Sequence, residues 1–555
     1  MTTIGPRSSR IDRHSISTPI LLLAFASIAS AKAPTLETLF PAGAARGSAV
    51  EVTAGGNFER WPVRAWTSKP GLTIKFGEEK GKLSIEVAPD APTGVHWVRL
   101  FDDEGATAPR PFFVGVLPEW NEVEPNDEVG QAQKIDLPDL IVNGRLAKRG
   151  DVDGYRVHLA KGQTLVASME AHRRLGSPMD GVLQVASSAG FVLAQNDDEH
   201  ERDPQIAFEA PSDGDYIVRA FAFPFVQAST IRFDGESTYV YRLTLATGGV
   251  VDHSFPLAIS ESGPSEVEAT GWNIPEGARR LPVEPPGLEA STPIRLHHAG
   301  LANEAEVLVV RPPSIIEAEP NDFDHPQPVN LPVAISGRLD PPRDVDAYAF
   351  EARKGAILNF RVEARSIGQM VDAVLRISDA SGKMIIEEDD NGRRDFDPEV
   401  RFTAPADGTF RVTVRDLNGQ GGPRHAYLLV AESPRADFAL TLKGDQFPLT
   451  PGKPTEVEVA VDRQEGFAEP IEIGLEGHYD GVISSPVVSL PEGPTAKSVT
   501  LKLEPCDCAK TGPIRIVGTS REGLRKFATT AGLDTAWLSV PKPEPPAEKK
   551  PEPAK

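Results

Sequence analysis

Residues 151–159 read Asp-Val-Asp-Gly-Tyr-Arg-Val-His-Leu, and residues 344–350 read Asp-Val-Asp-Ala-Tyr-Ala-Phe. In both stretches an Asp-x-Asp pair leads into alternating apolar and polar side chains, which is the period of a half-buried β-strand. Landmarks around the second stretch lie 192 to 195 residues after their counterparts around the first (344 against 151, and 319 against 124). So constant an offset predicts a duplicated β-domain.

The duplication extends well beyond these strands. Its landmarks are, in order, Glu-x-Glu-Pro-Asn-Asp at 122–127 and 317–322, Gly-Arg-Leu at 144–146 and 337–339, Asp-x-Asp-x-Tyr at 151–155 and 344–348, and Ala-Pro-x-Asp-Gly at 210–214 and 404–408. Each copy therefore repeats a cluster of acids beside a proline, followed by two further Asp residues at a fixed distance.

The repeated acids have the chemistry of a calcium site. In an extended segment Glu122, Glu124 and Asn126 share one face, and Pro125 biases the residue before it towards extended geometry. Asp127 follows at the turn, and Asp151 and Asp153 again share a face. Ca²⁺ takes six to eight oxygen ligands, so six oxygen donors from two loops suit it. The alternative is a solvated interdomain turn with Asx-type hydrogen bonds.

The ordered motifs resemble the bacterial pre-peptidase C-terminal domain, a family that is similar to the collagen-binding domains of clostridial collagenases. The resemblance covers 119–248 and 313–433 and implies β-sandwiches appended to exported proteins. It also implies a calcium site in each copy. The implied ligands are Glu122, Glu124, Asn126, Asp127, Asp151 and Asp153 in the first copy, and Glu317, Glu319, Asn321, Asp322, Asp344 and Asp346 in the second.

A further acidic loop occurs in each copy. The loops contain Asn196-Asp197-Asp198 with Asp203, and Asp389-Asp390-Asn391-Gly392 with Asp395 and Asp397. Asp and Asn beside Gly are common in hairpin turns, so we interpret these loops as turns, with an auxiliary cation site as the alternative.

Length and composition predict several small all-β domains. The chain has 555 residues, of which 51 are Pro and 48 are Gly, so it is too long for one core and its strands must be short. The formal net charge of −22 disfavours nucleic acid and anionic membrane surfaces as partners. We expect tandem β-sandwich modules of immunoglobulin-like and jelly-roll-like type.

The module boundaries follow from the alternating stretches and their turn residues. Residues 34–117 resemble IPT/TIG immunoglobulin-like domains through features such as Leu39-Phe-Pro41 and Ala91-Pro-Thr-Gly-Val95. The predicted segments are a signal peptide at 1–31, this module at 34–117, the first long repeat at 119–248, a small β-rich module at 249–312, the second long repeat at 313–433, an immunoglobulin-like sandwich at 434–540, and a disordered Pro/Lys/Glu tail at 541–555.

The N-terminal segment indicates export. Three Arg residues precede a short apolar run, and Ala29-Ser-Ala31 forms a small-residue cleavage site. The apolar run is too short to span a bilayer, so we expect no membrane span after cleavage and a secreted, periplasmic or cell-envelope location. Cys506 and Cys508 are one residue apart, a spacing that seldom bridges well, and a local or an intermolecular disulfide both stay open.

No catalytic motif is recognisable. His-Glu-x-x-His, Gly-x-Ser-x-Gly and a phosphate-binding loop are absent from the sequence. We therefore expect no enzyme activity. Five Trp residues suggest core positions, with a sugar- or peptide-binding face as the alternative: Trp61, Trp66, Trp97, Trp120 and Trp272.

The favoured interpretation is an exported, calcium-stabilised string of β-sandwich modules for extracellular or envelope binding and adhesion. Its ligand would be an unidentified extracellular protein or polysaccharide. The first alternative is an accessory protein of an exported protease system, whose partner is a secreted peptidase. A calcium-dependent structural component of the envelope is the third possibility.

Overall fold

The computed structural model describes residues 32–224, 232–261, 263–284, 293–392, 396–450, 452–530 and 532–541. The predicted signal peptide, all but the first residue of the predicted tail, and Asp395 lie outside these ranges. The described chain is all-β, as predicted, and its helical segments have only three or four residues each.

The strands form because apolar and polar residues alternate between short turns. A strand near the C-terminus at 498–505 buries every second side chain, and a short strand at 205–209 also alternates buried with more exposed positions. This pattern places one face of each strand in a core and the other towards water.

The N-terminal part of the chain forms two packed four-stranded sheets. Its strands are β1 (Thr35–Phe40), β2 (Gly43–Ala45), β3 (Ala49–Asn57), β4 (Arg64–Thr67), β5 (Leu72–Phe76), β6 (Lys82–Val87), β7 (Gly94–Phe101) and β8 (Arg110–Gly115). The sheet orders are β1-β3-β6-β5 and β2-β8-β7-β4. Val52, Ile85, Leu100 and Phe112 lie in the core between them.

The first long repeat is a sandwich of two five-stranded sheets. Its elements are β9 (Glu119–Asn121), β10 (Gln133–Lys134), β11 (Asp139–Arg145), β12 (Asp153–Leu159), β13 (Thr164–Glu170), α1 (His172–Leu175), β14 (Asp180–Ser187), β15 (Val192–Asn196), β16 (Gln205–Glu209), β17 (Gly214–Phe223) and β18 (Val240–Ala246). The sheet orders are β10-β12-β17-β14-β15 and β16-β13-β18-β11-β9.

A smaller pair of three-stranded sheets follows. Its elements are β19 (Val250–Phe255), β20 (Ala258–Ile259), β21 (Glu266–Trp272), a 3-10 turn (Glu276–Ala278), β22 (Arg280–Pro282), β23 (Ile294–Leu296) and β24 (Ala305–Val309). The orders are β19-β21-β22 and β20-β24-β23.

The second long repeat has the same strand order as the first. Its elements are β25 (Ser314–Ile316), β26 (Gln327–Pro328), β27 (Val333–Arg338), β28 (Val345–Ala352), β29 (Ile357–Glu363), a 3-10 turn (Arg365–Ile367), β30 (Ala373–Asp379), β31 (Met384–Glu388), β32 (Glu399–Thr403), β33 (Gly408–Asp416) and β34 (Ala426–Glu432). The orders β26-β28-β33-β30-β31 and β32-β29-β34-β27-β25 match the first repeat strand for strand. The pairing is also equivalent, since Tyr155 faces Val218 and Tyr348 faces Val412.

The C-terminal part contains an eight-stranded and a three-stranded sheet. Its strands are β35 (Asp437–Leu442), β36 (Gln446–Pro448), β37 (Thr455–Gln464), β38 (Ile471–Leu475), β39 (Val482–Ile483), β40 (Val487–Ser489), β41 (Ser498–Pro505), β42 (Gly512–Ile514), β43 (Ile516–Ser520), β44 (Arg525–Thr529) and β45 (Ala536–Ser539). The orders are β39-β41-β37-β35-β44-β43-β38-β40 and β36-β45-β42. Cys506 and Cys508 form a disulfide in the loop after β41, which is the local alternative.

The first and last parts of the chain touch, a contact that a string of modules does not predict. The ring of Trp537 on β45 lies 4.7 Å from that of Phe101 on β7 and 6.2 Å from that of Trp66 on β4. Beside them the fully buried Arg99 donates to Asp445 at 2.9 Å, and the Ala106 amide donates to Gln446 at 3.0 Å. Residues more than three hundred positions apart thus close the chain on itself.

The two long repeats are also joined across the small module between them. Arg424, next to β34, donates to Asp252 at 2.7 Å and forms an ion pair with Glu199 at 2.8 Å. Its guanidinium stacks on Trp272 at 4.8 Å. One side chain of the second repeat therefore contacts both the small module and the first repeat.

The five Trp residues predicted for the core are all half-buried. Trp61 packs between Phe58 and Phe76 inside the first module, at ring distances of 5.3 and 5.4 Å, and Trp66 lies at the contact with the last module. The fully buried tryptophan is Trp537, whose partners come from the far end of the sequence.

Candidate metal centre

Three carboxylates of the predicted set converge in each long repeat. Glu124, from the segment between β9 and β10, meets Asp151 and Asp153 at the start of β12, and one ligand oxygen from each lies within 4.8 Å of the others. Glu319, Asp344 and Asp346 form the same group at the start of β28. The duplication in sequence is therefore a duplication of an acidic centre in space.

Backbone amides hold the segment that carries the first acids. Glu122 accepts a hydrogen bond from the Arg145 amide at 2.6 Å, and Glu317 accepts one from the Arg338 amide at 2.6 Å. The peptide bonds before Pro125 and Pro320 are cis in both copies. In each repeat the acidic segment is thus held against the last residue of a strand, which is Arg145 of β11 in the first repeat and Arg338 of β27 in the second.

A pair of buried tyrosines lies beneath each centre. Tyr241 on β18 donates to Asp153 and is 2.6 Å from the Tyr155 hydroxyl. In the second copy Tyr427 donates to Asp346 at 2.6 Å and is 2.6 Å from Tyr348. Tyr241 and Tyr427 were not predicted at the site from the motifs. A Tyr in the last strand of both copies was the available signal.

Burial disfavours ionisation of these acids. Burial raises the pKa of Glu122 and of Glu317 to about 7, against opposing hydrogen bonds from backbone amides. Burial and the nearby Glu317 carboxylate raise the pKa of Asp346 to about 9, and burial beside Glu122 raises that of Asp153 well above its ordinary value. Without a cation, the centre therefore retains protons near neutral pH.

Several oxygens of the first centre have no hydrogen-bond partner among the described residues. They are the Oδ1 atoms of Asn126, Asp151 and Asp153, all in residues that are fully buried, and the exposed Lys148 ammonium forms an ion pair with the Asp151 atom at 3.7 Å. A buried carboxylate oxygen without a donor is costly unless a cation compensates it. Hard carboxylate and amide oxygens are the donors that Ca²⁺ prefers, so these residues fit a calcium ion.

The remaining predicted ligands differ between the copies. Asp127 accepts the Val152 amide at 3.3 Å and so lies beside the first centre. Asp322 instead accepts the amides of Asp324 and His325 at 2.9 and 2.8 Å and is exposed. Asn321, like Asn126, is buried. The two centres thus share Glu, Asn and Asp-x-Asp, and diverge at the last residue of the motif.

The further acidic loops contain carboxylates that bind backbone amides. Asp203 accepts amide hydrogen bonds from Ala171, His172 and Arg173 at 2.7 to 3.2 Å. Asp397 does the same for Ala364, Arg365 and Ser366 at 2.9 to 3.0 Å. Both acids therefore fix the start of a short helical turn, which agrees with the interpretation of these loops as structural.

Each centre is connected to the module before it through one arginine. The Arg145 guanidinium stacks on Phe40 at 4.8 Å, while its amide holds Glu122. The Arg338 guanidinium stacks on Phe255 at 3.8 Å, while its amide holds Glu317. The arginine of each Gly-Arg-Leu motif is thus a direct link between the acidic segment and the neighbouring β-module.

Residues 344–416 match the family described as the bacterial pre-peptidase C-terminal domain. This range starts at the Asp-x-Asp pair of the second repeat and includes most of its strands. The match confirms the predicted resemblance for this segment. For the first repeat and for an IPT/TIG module the resemblance stays a prediction.

A probable subtilase-type serine protease of Deinococcus radiodurans is 40% identical to this chain over 79 residues, which are 14% of this chain and 10% of the relative. The chain therefore spans a small part of that relative's length. A solved pre-peptidase C-terminal domain of collagenase from Bacillus anthracis is 18% identical, with a TM-score of 0.16, and covers 19% of this chain and 93% of the domain. The M60 catalytic domain with two CBM51 domains from Clostridium perfringens is 9% identical, with a TM-score of 0.14, over 70% of this chain and 54% of that one.

The family match fits a non-catalytic accessory or binding role for the segment 344–416. In the described part of the chain, no helix reaches the length and apolar content that crossing a membrane requires.

Proposed function

We propose that this chain is an exported, non-catalytic binding protein whose two long repeats each hold one calcium ion. The observation that carries the proposal is the duplicated convergence of a Glu and an Asp-x-Asp pair, with ligand oxygens within 4.8 Å of one another. Two copies with the same strand order and the same acidic centre support a shared ligand. Glu124, Asp151 and Asp153 would bind the ion in the first copy, and Glu319, Asp344 and Asp346 in the second.

The ion would organise neighbouring modules as well as its own. Binding would neutralise the repulsion between the acidic segment and the Asp-x-Asp strand, so the segment would remain docked on the sandwich. Because Arg145 and Arg338 connect that segment to Phe40 and Phe255, docking also supports the contact with the preceding module. Calcium is therefore proposed to hold neighbouring modules in a fixed arrangement, and this arrangement presents a binding surface.

Calcium should raise the melting temperature of the purified chain relative to chelator, and Asp151→Ala with Asp344→Ala should remove the increase. If the sites resemble other extracellular calcium modules, their dissociation constants are roughly 10⁻⁴–10⁻³ M. At about 10 mM calcium each site would then contribute about 1–3 kcal/mol. The measurement is calorimetric melting in calcium and in chelator, with Asp90→Ala as an exposed control. An unchanged calcium response in the double variant would remove the metal sites from the proposal.

The pH dependence of stability should differ between the calcium-bound and the chelated chain. The raised pKa of Glu122 and Glu317 means that the metal-free folded state binds protons more tightly than the unfolded state. Metal-free stability is therefore highest below the ordinary glutamate pKa and falls as pH rises through about 7. Each acid contributes a slope of about 1.4 kcal/mol per pH unit within this window. The melting temperatures of the calcium-bound and the chelated chain, plotted against pH between 5 and 8, should therefore diverge, and calcium should bind more tightly as pH rises. If the two plots run parallel, the result contradicts the buried acidic centres.

The second candidate is an accessory protein of an exported peptidase system. The description of the matched family and the name of the subtilase-type relative favour this candidate, since both refer to a peptidase. Retention of a peptidase by the immobilised chain would support it. Hydrolysis of peptide by the purified chain would contradict both candidates.

A further inference from the structure

Both long repeats expose large apolar side chains at the same place in the fold. In the first repeat Phe191, Val192 and Leu193 are 73%, 49% and 45% exposed. In the second repeat Met384 and Ile385 are 53% and 40% exposed, and they lie 192 positions after Val192 and Leu193, whereas Lys383 stands at the position of Phe191. Apolar exposure that recurs in two diverged copies marks a surface and is not the scatter normal for soluble proteins.

All of these side chains except Phe191, which precedes β15, lie on the outermost strand of a sheet. β15 pairs only with β14, and β31 only with β30, within the described residues. Ala194 and Ile386 point inwards and pack on their cores. The other edge of each strand carries backbone donors and acceptors that no further strand of the described chain pairs. An exposed apolar edge strand is a template for adding another strand.

The acidic segment of the metal centre borders the same surface. The Phe323 ring lies against Gly382, in the turn before β31, where its Cζ atom would be 3.0 Å from a Cβ atom added to that glycine. The Arg411 guanidinium lies over the same ring, 4.8 Å from its centre. In the first repeat Val129 occupies the corresponding position at Gly190, in the turn before β15. The segment that follows Glu-Pro-Asn-Asp therefore extends each apolar edge.

Charge selects among the possible occupants of these edges. β15 runs into the exposed Asp197 and Asp198, and β31 ends at Glu388, followed by the exposed Asp389 and Asp390. A second copy of this chain would bring further acids and a net charge of −22 to the same place. An extended segment that combines apolar residues with Lys or Arg is complementary to both the apolar edge and its acidic end.

We propose that β15 and β31 are two equivalent docking edges, each of which takes one extended basic-apolar segment of a partner polypeptide as an added β-strand. The segment would pair its backbone with the free edge and set alternate apolar side chains against Leu193 or Ile385. Its basic residues would lie at the acidic end of the strand. The inference rests on the proposed binding role and specifies the chemistry of the partner, but calcium melting tests the metal centres separately.

The test uses the full chain in calcium and a fluorescent synthetic peptide, Lys-Lys-Val-Thr-Val-Thr-Val-Lys-Lys. Titration should give two peptides bound per chain, and either Leu193→Lys or Ile385→Lys should leave one. The double variant should weaken binding by about tenfold or more, because an edge lysine blocks strand addition and repels the basic peptide. Val488→Lys, a 47% exposed position on an edge strand of the C-terminal module, is the matched control.

Two further peptides separate strand addition from charge attraction. A peptide of the same sequence with alternate N-methylated amides should not bind, because it lacks the backbone donors. A peptide with Glu in place of Lys should bind more weakly. The proposal is overturned by no saturable binding, by equal binding of the N-methylated peptide, or by unchanged binding in the double variant. Sedimentation showing a dimer that the double variant abolishes would also overturn it, since the occupant would then be a second copy.

Discussion

Asp346→Asn should raise the melting temperature of the chelated chain and at the same time abolish the calcium response of the second repeat. Asp346 is fully buried, and burial beside Glu317 raises its pKa to about 9. The neutral amide removes the cost of keeping this acid protonated at neutral pH, with a gain on the order of 2 kcal/mol in the metal-free state. It also removes a charged ligand oxygen from the centre, so the stabilisation of about 1–3 kcal/mol by about 10 mM calcium is lost.

Asp346→Asn is informative because it should increase the stability of the metal-free chain and decrease the stabilisation by calcium. A purely structural carboxylate would lose stability in both conditions when its hydrogen bond from Tyr427 is altered. Calorimetric melting in chelator and in calcium distinguishes the two roles, and Asp90→Asn, at an exposed position, provides the control for charge alone. A variant that is less stable than the parent in chelator, yet still gains stability from calcium, would contradict the assignment of Asp346 as a ligand.

Trp537→Ala should separate the last module from the first. Trp537 is fully buried against Phe101 and Trp66, and truncation of a buried Trp costs about 3–5 kcal/mol. The contact also contains the buried Arg99, whose partner is Asp445 of the last module. We expect a larger radius of gyration by small-angle scattering and faster proteolysis between the modules.

Two controls distinguish opening of the contact from simple loss of stability. Trp61→Ala removes a ring that packs within the first module, so it should lower stability while the chain stays closed. Asp445→Ala leaves the Arg99 charge buried without its partner and should open the contact while the core of the last module stays intact. If Trp537→Ala and Asp445→Ala both melt earlier but keep the parent radius of gyration, the contact does not hold the chain closed.

The acidic centres were predictable because their residues are close in sequence and repeated. Glu124 and the Asp151/Asp153 pair belong to two short motifs, and their recurrence at a constant offset predicted that these carboxylates lie together in each repeat. The different role of Asp322 was not predictable, because the turn that engages its carboxylate depends on the amides of Asp324 and His325. Tyr241 and Tyr427 were missed for a related reason, since they reach the centre from the last strand of each sandwich.

By itself, the sequence determined the all-β class, the duplication and the local clusters of oxygen donors, because alternation and motif spacing act over a few residues. Only the tertiary structure decided that Trp537 fills a site between Phe101 and Trp66, that Arg424 joins the two repeats, and that β15 and β31 are outermost strands. These features depend on which strands become neighbours and which sheets pack together. Such long-range contacts are selected by the shape and burial of whole surfaces, and no periodicity along the chain records them.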